Sequence, residues 1–408
     1  MINKVMNNRQ RIGNDIYWKS VNDRRKNLFE NMWPLPYGVS YNSYLIRDEK
    51  CALMDTVESG TDGFYMDWIK EVLDGRKLDY LVVHHMELDH SSEIGELIRQ
   101  FPEVKIIGNA KTFKVLSAYF GCSDNFVEVK DGDTLDLGHH KLKFVFTPWV
   151  HWPETMVSYD MTEGVLFSGD AFGMFGALDG GRYDDQVDFA MYEEEMRRYY
   201  SNIVGKYSSM VQKALARLSS IQVRTICPLH GLVWRSDPSR VIGLYDRWSR
   251  YEAEAGVVVI YASMYGNTAR MADYIAAGLA DNGVKSIRVH DASKTHISYL
   301  INDIWRYRGV VLGSCAYNLQ MFPLMENLTR ELLHMGVKNK LLGLFGTFSW
   351  NGGGVKNLKV FADEIGWEQV APAVEIQGRT AADKLVACDA LAEAMAGRLL
   401  GKEICGEK

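Results

Sequence analysis

Nowhere in this 408-residue sequence do 18 apolar residues run together, so nothing in it is expected to cross a membrane as a helix. It has no Lys/Arg-rich run either, and its net charge of −6 argues against a general nucleic-acid binder. The six cysteines (Cys51, Cys122, Cys227, Cys315, Cys388, Cys405) are scattered, with no C-x-x-C among them. That spacing excludes a rubredoxin-like or zinc-ribbon site and suits a reducing, cytoplasmic compartment. Met1–Val5 leads into polar residues without the apolar stretch of a signal peptide. Dinucleotide (G-x-G-x-x-G) and P-loop fingerprints are missing, as are internal repeats and low-complexity segments. What remains is an ordinary globular balance, 47% hydrophobic and 24% charged, in a chain long enough for two domains.

The positive signal begins at residues 84–90, His-His-Met-Glu-Leu-Asp-His, directly behind the apolar run Tyr80–Val83. Isolated histidines are mostly structural or surface residues. Two imidazoles and two carboxylates within six residues, after a buried strand, are harder to explain as packing, since each unpaired polar group would cost about 2–7 kcal/mol and each charge more. A metal is the better explanation. Alternation along an extended loop puts His85, Glu87 and Asp89 on one side, with His90 at a turn into a helix starting near Ser91. Three further strand ends offer ligands of the same kind. His151 follows the strand-like Leu142–Thr147, Asp170 ends Val165–Gly169, and His230 follows Val223–Pro228. Seven candidate ligands thus come from four strand ends.

Organisation changes near residue 252. Before it, short strands mix with helical stretches, including a long one over Tyr192–Leu218; polar Arg247–Ala255 then leads to a fresh strand at Val257–Tyr261. Beyond it, strand and helix alternate regularly to the C-terminus, as in a parallel sheet covered on both faces. Ser263-Met264-Tyr265-Gly266-Asn267-Thr268 lies between a strand and a helix carrying Met271, Ile275 and Leu279 at helical spacing. Hydroxyls, an amide and a glycine at a helix N-terminus suit a phosphate, although an ordinary capped loop would read the same way. Two more strand ends run into Ser314-Cys315-Ala316-Tyr317-Asn318 and Thr347-Phe348-Ser349-Trp350-Asn351-Gly352-Gly353-Gly354. Aromatics among small residues at the carboxyl edge of such a sheet suit a flat ring, and the three loops together point to FMN. The stripe Leu385, Cys388, Leu391, Met395 and Leu399 reads as core.

With His85-x-Glu87-x-Asp89-His90, His151-Trp152-Pro153, Gly169-Asp170, Pro228-x-His230 and Ser263-x-Tyr265-Gly266-Asn267-Thr268, nearly the whole chain resembles the flavodiiron proteins, also called A-type flavoproteins. The resemblance implies an α/β protein in two parts. Residues 1–252 would form a metallo-β-lactamase-like αββα sandwich holding two non-haem irons. Residues 253–408 would form a flavodoxin-like doubly wound sheet holding FMN. His85, Glu87 and His151 would take one iron, Asp89, His90 and His230 the other, and Asp170 would bridge them. Cys315 and Ala316 stand where the family often has Pro and Thr. The implied reaction is reduction of O2 to water, of NO to N2O, or both. Because flavin and irons lie in different domains, the resemblance implies a head-to-tail homodimer or a homotetramer, with Trp149, Trp152 and Trp350 as candidate contacts. With no rubredoxin or flavin reductase domain by Lys408, electrons are expected from a separate donor such as rubredoxin.

Other readings remain open at this stage. A zinc hydrolase of the lactamase class fused to a flavodoxin module would be expected to carry His, not Glu, at position 87. A non-enzymatic electron carrier with a degenerate metal centre would lack ligands that this chain has. Direct use of NAD(P)H finds no fingerprint. Mixed imidazole and carboxylate ligation favours iron over structural zinc, and two metals about 3.5–4 Å apart can hold a diatomic molecule. On this reading Asp170→Ala loses most of its iron and keeps FMN; full iron content would refute the bridging role. Gly266→Val is expected to crowd the phosphate loop and lose flavin, which the FMN-to-protein ratio checks.

Overall fold

The computed structural model describes residues 11–401. The start Met1–Val5 and Cys405 lie outside those residues. The chain divides into two compact units between Asp246 and Arg247.

The first unit is built on two sheets. One has six strands in the order β1 (Ile16–Asp23), β2 (Val39–Arg47), β3 (Cys51–Met54), β4 (Leu78–Val82), β5 (Lys105–Gly108) and β6 (Phe126–Glu128). It is antiparallel as far as β3 and parallel beyond. The other comprises β7 (Thr134–Asp136), β8 (Lys141–Phe146), β9 (Met156–Asp160), β10 (Val165–Phe167) and β11 (Thr225–Cys227), with β10 and β11 parallel. β2 and β3 are almost wholly buried along both faces; β3 is accordingly all apolar, while β2 also buries polar residues such as Asn42, whose amide donates to the Pro228 and Gly231 carbonyls. The sheets meet through side chains: the Tyr44 ring packs on Phe167, and its hydroxyl donates to the Pro228 carbonyl at 2.6 Å. Metal-candidate loops therefore leave β4, β8, β10 and β11 and converge in one place.

Three local readings change. The alternation from His85 stops at Glu87, because Leu88–Ser91 closes into a helical turn and the next helix starts at Ile94. The cause is hydrogen bonding to that turn: the Thr56 backbone N–H and hydroxyl both donate to the His90 carbonyl, at 2.8 and 2.6 Å, and the Ser91 hydroxyl donates to the Met86 carbonyl at 3.0 Å. Tyr192–Leu218 is helical but changes pitch. A wide turn over Tyr200–Val204 and a tight one over Gly205–Tyr207 separate two α-helices, and the register shift buries both Tyr199 and Tyr200. Arg247–Ser249, read as part of a polar connector, ends the helix Pro238–Ser249.

The second unit is a parallel sheet in the order β13 (Ile287–Asp291), β12 (Glu254–Ala262), β14 (Tyr307–Cys315), β15 (Leu341–Phe348), with β16 (Glu368–Gln369) and β17 (Val374–Gln377) both pairing with β15. Met271, Ile275 and Leu279 of the helix Asn267–Asp281 are fully buried against it. Leu385, Cys388, Leu391 and Met395 join the same core, and Leu399 packs on its margin. The loops expected to hold the ring all leave carboxyl ends of adjacent strands.

Candidate metal centre and flavin site

The seven candidate ligands of the first unit converge as two groups. One is His85, Glu87, His151 and Asp170; the other is Asp89, His90 and His230. Asp170 touches both. Its Oδ2 lies 3.0 Å from His151 Nε2 and 3.4 Å from His85 Nε2, while Oδ1 lies 2.8 Å from His90 Nε2 and 3.7 Å from His230 Nε2. Glu87 Oε2 is 3.1 Å from both His85 and His151, and Asp89 is 3.3 Å from both His90 and His230.

These distances are short, yet several pairs are poorly aligned for hydrogen bonding. Both Asp89 carboxylate oxygens, Asp170 Oδ1, His90 Nε2 and His230 Nε2 are buried without a hydrogen-bond partner. In each group the candidate ligand atoms lie within 4.8 Å of one another, so unsatisfied donors and acceptors gather where one cation could be shared, as a metal ligand set requires. Hard carboxylate oxygens mixed with imidazoles fit iron. The charges reinforce the case. Burial works against protonating His90 and His151, but Asp89 and Asp170 beside the first, and Asp170 and Glu87 beside the second, hold each up at about 9. Against its own burial, Asp170 is held well below the usual carboxylate range by His90 and His85. The pocket is preset for positive charge.

Orientation comes from residues behind the ligands. His230 Nδ1 donates to the Ser40 carbonyl at 2.8 Å, leaving Nε2 to face Asp89. Glu154, 1% exposed, accepts from the Met86 amide at 3.0 Å and lies 3.3 Å from His85 Nδ1. A carboxylate behind a ligating histidine fixes its tautomer and raises its basicity. Glu154 was not singled out from sequence; its one signal is its place three residues after His151. His84, outside the ligand pattern, is tied to Asp55 at 2.5 Å and to Ser158 at 2.6 Å. It anchors the loop. Glu30 was also missed. It accepts from Trp33 Nε1 at 2.8 Å, and burial together with the neighbouring Glu87 pushes its carboxyl up to about 7. An aromatic wall closes around His230, with Phe29, Tyr199 and Tyr41 rings at 5.5, 5.5 and 5.7 Å. Trp152 lies edge-on to His85 at 5.1 Å, while Trp149 stacks on Tyr207 and is 41% exposed.

In the second unit, Ser263, Met264, Tyr265, Asn267, Cys315, Ala316, Thr347, Phe348 and Ser349 line one hollow with Gly378. Tyr317, Asn318, Trp350 and Asn351 extend it with Leu319. The remaining candidates are structural in this conformation. The Thr268 and Thr347 hydroxyls bond each other at 2.8 Å, and the Ser314 hydroxyl donates to the Cys315 carbonyl and accepts from the Phe322 amide. A Cβ on Gly353 would fall 2.3 Å from the Leu319 backbone, so glycine there lets the two ring loops touch. Gly352 lies beside the Glu375 carboxylate. Gly266, by contrast, has open space where a Cβ would go, and its φ is +86°. No protein atom would meet a valine Cβ there, so within the protein itself the cost is a left-handed backbone that a β-branched residue resists. No side chain caps the helix that follows, so its first N–H groups remain available to a phosphate. Gly378 ends β17 and donates its amide to the Phe348 carbonyl at 2.8 Å, a fourth strand end that sequence reading passed over.

Known proteins match both units. Residues 39–231 fit the family model described as ODP family beta lactamase, and residues 259–389 fit Flavodoxin. The anaerobic nitric oxide reductase flavorubredoxin of Escherichia coli K12 is 32% identical over 383 residues, 92% of this chain and 80% of that protein. Rubredoxin oxygen:oxidoreductase from Desulfovibrio gigas superposes with a TM-score of 0.92 at 30% identity, covering 97% of this chain and 99% of that one. The flavodiiron protein from Giardia intestinalis gives 0.90 at 25% identity, covering 96% and 97%.

Glu154→Gln keeps the shape of the residue and removes its charge behind His85. Iron affinity is expected to fall about 10–100-fold, read by competition with a chelator, with FMN content unchanged. Wild-type iron retention would remove Glu154 from this role.

Proposed function

The chain belongs to the flavodiiron proteins, and from that membership we propose that it passes electrons through FMN to a diiron centre and reduces O2 to water, NO to N2O, or both. It is an oxidoreductase. The observation that carries the reading is the pair of ligand groups joined by Asp170.

In the assignment we propose, His85, Glu87 and His151 hold one iron, Asp89, His90 and His230 the other, and Asp170 bridges. When bound, FMN supplies electrons singly and the diiron pair supplies two adjacent sites for a diatomic molecule. Glu154 and the Ser40 carbonyl hold the imidazoles in position. The aromatic wall of Phe29, Tyr41 and Tyr199 keeps bulk water from the buried ligands and suits a small neutral gas better than an ester or amide substrate. Loop 263–268 and the N-terminus of its helix would take the flavin phosphate, with loops 314–318 and 347–353 around the ring. Of the ring-side aromatics, Tyr265 is 90% and Trp350 81% exposed, as a flavin meeting another protein requires.

Domain limits of 1–252 for the diiron part and 253–408 for the FMN part belong to the same proposal. So do a head-to-tail homodimer or homotetramer, a separate donor such as rubredoxin, and a cytoplasmic setting. No helix among the described residues is long and apolar enough to cross a membrane.

Anaerobically reduced protein is expected to consume either gas at rates of at least the typical enzymatic range, about 1–1000 per second. The ratio of rates with O2 and NO sets its role. Consumption of neither gas by protein that carries both cofactors would overturn the proposal.

A further inference from the structure

The second unit has another feature at the edge of its sheet opposite the flavin loops. Where β12, β14, β15 and β16 begin, a cavity of about 740 Å3 is lined by Tyr251, Glu252, Arg308, Lys340, Trp367 and Glu368, among others. Lys340 is 3% exposed. Its ammonium donates to the Tyr307 carbonyl at 2.9 Å and the Trp305 carbonyl at 3.2 Å, which leaves one N–H over. The carbonyls orient the group, but they bring no negative charge. Burial and the adjacent Arg308 guanidinium push Lys340 down to about 7, and no carboxylate offsets them.

The cavity's two carboxylates are engaged elsewhere. Glu368 pairs with Arg398 at 2.5 Å and Glu252 with Arg250 at 3.1 Å. Lys340 and Arg308 therefore face one cavity with no free carboxylate among the described residues between them. A buried amine without a counter-charge is costly, and neutral donors could have capped two carbonyls at less expense.

We propose that this cavity binds the phosphate group of a small molecule between Lys340 and Arg308, at a site separate from the flavin. The volume is within the range of about 300–1000 Å3 typical for small-molecule pockets and exceeds what inorganic phosphate needs. A phosphate monoester with an organic body, such as a nucleotide, fits it, with Tyr251 and Trp367 offering ring surface. An anion there favours the charged lysine, so binding is strongest below pH 7 and weakens as pH rises past it.

The test is calorimetric titration of the FMN- and iron-loaded protein with adenosine monophosphate and with pyrophosphate. Sulfate, whose charge is constant across the range, serves as the probe for pH dependence. Saturable binding of one ligand per chain is expected. Arg308→Glu, an exposed change, should weaken it at least tenfold, and Lys340→Met should abolish it, both with unchanged FMN content. Sulfate affinity should drop between pH 6 and 8.5. Absence of saturable binding at millimolar concentrations overturns the proposal, as does binding that Arg308→Glu leaves intact. If Lys340→Met fails to fold, Arg308→Glu and the pH series decide alone.

Discussion

The first unit depends on burying carboxylates and imidazoles together at one end of an otherwise apolar sandwich. Asp170 is the hinge of that arrangement, since each of its oxygens faces imidazoles of a different ligand group. Such a cluster is unfavourable without a cation, because several of its buried oxygens and nitrogens have no hydrogen-bond partner. Much of the surrounding structure can be read as its support. Thr56 and Ser91 shape the turn that carries Asp89 and His90; Asp55 and Ser158 anchor His84; Glu154 and Ser40 set the outer nitrogens of His85 and His230. In the proposed assignment Glu87 would matter for metal choice, because an anionic oxygen donor in place of an imidazole moves such a site towards iron.

The second unit answers a different constraint, the close approach of backbone loops at the carboxyl edge of a parallel sheet. Gly353 allows one ring loop to lie against another, while Gly266 supplies a left-handed turn before the helix N-terminus. The same sheet shows opposite chemistry at its two edges. The carboxyl edge offers loop amides, hydroxyls and aromatics to a cofactor. The amino edge gathers Lys340 and Arg308, for which no acidic partner lies among the described residues.

Much of this was legible in the sequence because strand ends carry their chemistry next to their apolar runs. Tyr80–Val83, Val165–Gly169 and Val223–Pro228 each pointed to ligands that the fold brings together. What was not legible is set by contacts distant along the chain. The helical turn under Asp89 depends on Thr56, more than thirty residues earlier, so alternation from His85 could not foresee it. Glu154 carries no signal in the sequence beyond its nearness to His151; the fold brings the loop before β9 to β4 and so places it behind His85. The helix Pro238–Ser249 was hidden by its polar last turn, although Val241, Leu244, Tyr245 and Trp248 give it a buried face. At Gly266 the residue type alone could not show the left-handed backbone angle, which adds a conformational constraint to the expected crowding of the phosphate loop. Among the flavin candidates, the hydroxyls of Thr268, Ser314 and Thr347 could not be told in advance from ligand-facing groups, because the fold pairs Thr268 with Thr347 across a helix and a strand and brings the Phe322 amide to Ser314.

Metal and flavin content per chain, measured by elemental analysis and flavin absorbance on protein produced with iron and zinc both present, tests the central claim most directly. The ligand set described here predicts close to two irons and one FMN per chain. Two zincs in place of iron would contradict it and return the chain to the hydrolase reading.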